Sequence, residues 1–123
     1  MQGYYTTSPA EAFLRALCLY LAERGTSLLS LTGITGQKTV KIHMRGLWRR
    51  HEAEETGYLY LEDAVKMMTK EDIERLRRLG IVRIGKEEIE VDVEKLVEKL
   101  EEIGSYCNRD LKNLAALYRR RRG

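Results

Sequence analysis

The segment that most constrains this chain opens at Ser8-Pro9-Ala10-Glu11 and runs largely apolar to Ala22. Ser8 and Glu11 have the spacing of a capping box, in which the serine oxygen accepts from the Glu11 N–H and the Glu11 carboxylate accepts from the Ser8 N–H. Pro9 falls at the first helical position, where its missing N–H costs nothing and its ring presets φ. Phe13, Leu14, Leu17, Cys18, Tyr20 and Leu21 then recur at helical spacing. They cover most of the circumference, so this helix has to be wrapped by the rest of the chain and forms the centre of the core. Gly25 stands where a left-handed C-terminal residue is wanted, which predicts the end of the helix there.

The remaining elements follow in short units. Thr26 or Ser27 caps a second helix with Leu28, Leu29 and Leu31 facing inward, broken by Gly33-Ile34-Thr35-Gly36. A third helix is expected from about Gln37 to about Glu54, and residues 57–61 read as a short strand. Glu62 to Met68 is a short helix. Thr69-Lys70-Glu71-Asp72 caps another, carrying Ile73, Leu76 and Leu79 to Gly80. Ile81 to Val91 reads as a tight hairpin turning at Gly85-Lys86, where glycine in the first turn position suits type II′. Val93, Leu96, Val97, Leu100 and Ile103 form a stripe on a helix ending at Gly104. Asn108 is the expected cap of a last helix with Leu111, Leu114, Ala115 and Tyr118 on one side. The expected fold is mainly α with a small β-hairpin. It divides into a helix-turn-helix or winged-helix-like part over 1–92 and C-terminal helices with a basic tail over 93–123.

At 123 residues, 43% hydrophobic and 33% charged, the chain is one soluble domain's worth with an ordinary core. No apolar run is long enough to span a bilayer, since Ala12 to Ala22 is short and holds Arg15. Met1-Gln2-Gly3-Tyr4-Tyr5 lacks the basic-then-apolar order of a signal peptide, so the expected location is the cytoplasm, on the nucleoid or in a virion. Cys18 and Cys107 form no CxxC pair. Asn and Gln are scarce beside Lys, Arg and Glu, a bias of hyperthermophile proteins, in which intracellular disulfides are tolerated. The expectation is nevertheless two reduced thiols, with Cys18 a buried small hydrophobe.

Charge is segregated. Residues 36–51 carry Lys38, Lys41, Arg45, Arg49 and Arg50 with no acid, a local charge of +5. The tail adds Arg119, Arg120, Arg121 and Arg122, whereas residues 52–102 hold 16 acids against 9 bases. Two basic blocks in a chain otherwise rich in Glu point to a polyanionic partner.

Ser27 to Arg50, SLLSLTGITGQKTVKIHMRGLWRR, carries the functional reading. A helix-turn-helix needs a short helix, a turn with glycine and an apolar plug, and a second helix docked by one face. Gly33-Ile34 supplies the turn, and Val40, Met44, Leu47 and Trp48 the docking stripe, with Trp48 in the core. Lys38, Lys41, Arg45 and Arg49 share an adjacent arc of about 80° on such a helix. The segment therefore resembles the helix-turn-helix and winged-helix DNA-binding superfamily, especially small regulators of archaea and their viruses. Gly36 makes its turn one residue longer than the usual spacing. The resemblance implies duplex DNA as partner, with transcription regulation or DNA organisation as the role. Gln37 and Thr39 would read bases, and Lys38, Lys41, Arg45, Arg49, Arg50 and Arg119 to Arg122 would hold phosphates or guanines.

A second frame competes. Helix, strand, helix (62–68), helix (70–79) and hairpin (81–91) also follow the winged-helix order, with Arg75, Arg77 and Arg78 on the recognition helix. Glu71, Asp72 and Glu74 at its leading end and Glu87, Glu88 and Glu90 on the hairpin repel phosphate, so charge favours the first frame. Tyr58 and Tyr60, on one strand face, are expected to pack rather than stack bases, and His43 and His51 to meet phosphate or solvent rather than a metal. No phosphate loop or nucleophile–base–orienter set is visible, so no enzyme activity, cofactor, metal or small-molecule substrate is expected. The two C-terminal stripes suggest a homodimer through residues 93–118. The rival class is a structural or RNA-binding component of a viral particle or ribonucleoprotein.

Overall fold

The computed structural model describes residues 7–122; the segment 1–6, read above for signal-peptide character, lies outside them. The capping box forms: Glu11 N–H donates to Ser8 Oγ and Ser8 N–H to Glu11 Oε1, each at 3.2 Å. From it α1 (Pro9–Thr35) runs 27 residues unbroken, about 40 Å at the rise of an α-helix. The expected stop at Gly25 and the separate helix after it do not occur. Gly25 serves packing instead, because a Cβ there would lie 2.6 Å from Leu114 Cδ1 of the last helix. The true end is Gly36 at φ 72°, whose N–H donates to Thr32 O at 2.9 Å. Leu29 is buried as expected, but Leu31 and Ile34 are exposed, so Ile34 plugs no turn.

The helix expected over 37–54 is replaced by β1 (Thr39–His43), α2 (Met44–Trp48) and α3 (Ala53–Thr56). Burial alternates along β1, with Ile42 inward and Thr39, Lys41 and His43 outward. Its partner is distant in sequence: Val40 lies opposite Val91 and Ile42 opposite Ile89. Without β1 the outer edge of the hairpin would be open, and pairing that edge outweighs the helical periodicity of Val40, Met44 and Leu47. The strand expected at 57–61 is also absent. Gly57 closes α3 at φ 87°, Tyr58 is buried with its hydroxyl donating to Thr7 O at 3.1 Å, and Tyr60 is exposed.

Further along, the short elements form as read. α4 (Leu61–Lys66) and α5 (Lys70–Arg78) are joined by residues 67–69. Thr69 caps α5, its Oγ1 accepting from Asp72 N–H at 3.1 Å and its N–H donating to Asp72 Oδ2 at 2.9 Å. Gly80 turns the chain at φ 104°, and a Cβ there would meet Leu96 N at 2.8 Å, so position 80 requires glycine on two counts. β2 (Ile81–Ile84) and β3 (Glu88–Asp92) follow, giving an antiparallel sheet in the order β1-β3-β2. The hairpin turn is not the expected type II′ at Gly85, which has no positive φ. Gly85 N–H donates to Glu88 O at 2.8 Å, leaving Lys86 and Glu87 at the tip.

The C-terminal stripe forms two helices, α6 (Val93–Glu98) and α7 (Leu100–Gly104), hinged at Lys99. α8 (Lys112–Arg122) is started by Asp110, whose Oδ1 accepts from Lys112 N–H at 3.0 Å, while Asn108 sits in the preceding loop at φ 58°. Contrary to the expectation of free thiols, Cys18 and Cys107 form a disulfide with Cα atoms 5.8 Å apart. The pairs Cys18–Cys107 and Gly25–Leu114 both advance by seven residues, so α8 runs beside α1 in the same direction. Val93, Leu96, Val97, Leu100, Ile103, Leu111, Leu114 and Tyr118 are all buried in the one core that α1 centres. The two stripes over 93–118 are thus covered within the one chain, which removes the exposed apolar surface on which the homodimer expectation rested.

The disulfide closes a separation of 89 residues, for which the chain-entropy argument gives about 4–5 kcal/mol of stabilisation. Guanidinium denaturation of the Cys18→Ala/Cys107→Ala protein should show a loss of that order, and dithiothreitol should bring the wild type close to the variant. A midpoint unchanged by either would remove the crosslink from the stability of the fold.

Candidate nucleic-acid interface

The cationic stretch 37–51 does not lie on one helix face. Gln37 and Lys38 occupy the exposed connection from α1 to β1, Thr39 and Lys41 point outward from β1, Arg45 is on α2, and Arg49 and Arg50 follow it. Gln37 and Thr39 are therefore not at a helix start, and the geometric basis for their reading bases is gone. Lys41 Nζ lies 3.3 Å from Glu88 across the sheet. Arg119 and Arg120 are exposed on α8; the side chains of Arg121 and Arg122 lie outside the described residues.

Three of the predicted arginines do come together. α2 packs on α1 and brings Arg45, Arg49 and Arg50 over Tyr20, Glu23 and Arg24, with His43 at the end of β1 completing a cleft of about 570 Å³. Arg50 is the fixed member. Its guanidinium sits 5.1 Å from the centroid of the Tyr20 ring, donates to Gly46 O at 2.7 Å and pairs with Glu23 at 3.0 Å. With only 13% of its side chain exposed, Arg50 holds α2 to α1 rather than standing free for a ligand. Arg24, Arg45 and Arg49 are exposed and make no ion pair among the described residues. The sequence reading missed Arg24. Tyr20, Glu23 and Arg24 share a face at i, i+3, i+4 within the expected helix, but only the packing of α2 on α1 sets that face beside Arg45 and Arg49.

A second surface is built by α5 and the hairpin. The acids that argued against it are largely engaged. Asp72 caps α5, Glu74 pairs with Arg77 at 3.0 Å, Glu88 is met by Lys41, and Glu90 by Arg83 at 3.2 Å. Arg75 is held against the Tyr106 ring and donates to its hydroxyl. Lys70 at the start of α5 and Lys86 at the hairpin tip make no ion pair among the described residues, and Arg78 is exposed. Trp48, expected in the core, is 41% exposed. It lines a groove with Met44, Val65 and Ile84 between α2, α4 and the hairpin.

The two histidines part company: His43 borders the cleft, whereas His51 Nε2 lies 2.7 Å from Tyr58 O. Among the described residues no group of three His, Cys, Asp or Glu is placed to hold a metal, and no helix is long and apolar enough to cross a membrane. Comparison with known protein families, curated proteins and solved structures yields no match for this chain.

The two kinds of arginine in the cleft should separate in stability measurements. Arg45→Ala should leave urea stability within about 0.5 kcal/mol, and Arg50→Ala should cost about 1–2 kcal/mol through the lost stack and hydrogen bonds. Equal effects from the two would refute the division into a structural and a free cation.

Proposed function

We propose that this chain binds duplex DNA through a winged-helix arrangement, with α5 as the helix that enters the major groove. One observation carries the reading: α1, β1, α4, α5, β2 and β3 occur in that order, with the short α2 and α3 between β1 and α4, and β3 is central in the sheet. The residues 67–69 joining α4 to α5 are a turn of helix-turn-helix length. This is the order of the second of the two frames, with α1 in place of the helix expected over 38–54 and the strand at Thr39–His43 instead of 57–61. α5 packs inward through Leu76 and turns Lys70, Glu71, Glu74, Arg77 and Arg78 to solvent. The hairpin, as the wing, offers Lys86 at its tip.

The electrostatic objection to α5 weakens because Asp72 and Glu74 are already engaged within the protein. The net charge of the helix stays near zero. Lys70 and Arg78 therefore position it, and backbone affinity has to come from other basic surface as well.

Fluorescence anisotropy on a duplex of about 25 base pairs, repeated at several salt concentrations, tests the proposal. With four to six phosphates neutralised, the slope of log K against log salt should be about −4 to −5. Lys70→Ala/Arg78→Ala should reduce duplex affinity while leaving far-UV circular dichroism unchanged. Equal affinity for structured RNA and single-stranded DNA, or no effect of the α5 substitutions, would count against a groove-reading α5.

A further inference from the structure

The cleft between α1 and α2 has a composition that α5 lacks. Arg24, Arg45, Arg49 and Arg50 face one acid, Glu23, whose carboxylate is already bound by Arg50. Three guanidinium groups are thus gathered in one concavity with no acid left to pair them among the described residues. Like charges held together in a concavity repel one another, and that cost is relieved by a bound anion. Guanidinium groups match phosphate oxygens two at a time, in a planar geometry that lysine does not provide.

The cleft is also preorganised. Arg50 is fixed by Tyr20, Glu23 and the Gly46 carbonyl, so the floor is rigid while Arg24, Arg45 and Arg49 stand at the rim. Gly46 lets α2 lie close against the Tyr20 ring, since a Cβ there would lie 2.9 Å from it. The volume, about 570 Å³, admits a phosphate with its substituent.

We infer that this cleft is a phosphate-binding site, distinct from α5, in which Arg24, Arg45 and Arg49 hold the phosphate and Arg50 positions the wall. The inference deepens the DNA-binding reading without requiring it. The phosphate comes either from the backbone of the same duplex, beyond the groove that α5 occupies, or from a free phosphorylated small molecule.

The test uses the full-length Arg24→Ala/Arg49→Ala protein, which keeps Arg50 and should melt within a few degrees of the wild type. In one arm, duplex anisotropy is measured against salt. Two lost phosphate contacts should make the log–log slope shallower by about 2. In the other arm, inorganic tripolyphosphate is titrated calorimetrically into both proteins. A changed slope assigns the site to the DNA backbone. An unchanged slope with tripolyphosphate binding abolished in the variant assigns it to a free phosphorylated ligand. If neither arm distinguishes the variant from the wild type, the cleft is not a phosphate site. Arg24→Lys/Arg49→Lys should keep the slope and still lower the affinity, because charge remains and the two-pronged geometry does not. Lys70→Ala/Arg78→Ala, run beside it, separates the outcomes. Loss of duplex binding there alone overturns the cleft's part in DNA binding and leaves α5 standing, and loss in the cleft variant alone does the opposite.

Discussion

Because Phe13, Leu14, Leu17, Cys18 and Leu21 leave α1 only a narrow polar side at Glu11 and Arg15 over its first half, water has to be kept off it around most of its circumference. Each such side chain gains about 1.5–3 kcal/mol by full burial, and no single neighbour covers a helix on several sides. The chain meets this demand by laying α2, α4, α5, α7 and α8 against α1 in turn. The positions of the short helices are consequences. α6 and α7 connect the sheet to a last helix that has to return to α1. α8 comes close enough only because position 25 lacks a side chain, and the Cys18–Cys107 bond ties the same seam.

The sheet answers a second demand. A lone hairpin has two open edges, and β3 is made central by the arrival of β1. Pairing β1 to β3 also brings Lys41 beside Glu88 and sets it opposite Glu90, so part of the basic stretch is spent on the acidic hairpin. What remains of that stretch, Arg45 and Arg49, is swung by α2 toward Arg24. Charge that reads as one block along the chain is thus divided in space between neutralising glutamates and lining a cleft.

That division bears on how the molecule would engage a polyanion. In the proposed reading α5 enters the groove with little net charge, and the cleft has charge with no regular element to enter a groove. Phosphate contacts position and base contacts specify, and a protein can place the two functions on different surfaces.

Local signals made the beginning and the end of many elements legible: the Ser8–Glu11 box, the Thr69–Asp72 box, and glycine at 36 and 80. The apolar stripes named the core correctly from Val93 to Tyr118, as did Leu29, Met44 and Leu47. Misreadings fell where two periodicities overlap or where a residue type has two uses. Val40, Met44 and Leu47 fit a helix, and Val40 and Ile42 fit a strand; β3, nearly fifty residues away, decides between them. Gly25 can end a helix or admit a neighbour, and only the approach of Leu114 says which. The candidate site was half legible: Arg45 and Arg49 stood out by charge, whereas Arg24 joined them only through the packing of α2 on α1. The sequence by itself determined a long apolar helix needing cover, the caps, the hairpin and the net positive charge, because those depend on residues a few positions apart. Tertiary structure alone decided the third strand, the disulfide and the gathering of arginines from α1 and α2, because each depends on contacts between segments that no local pattern relates.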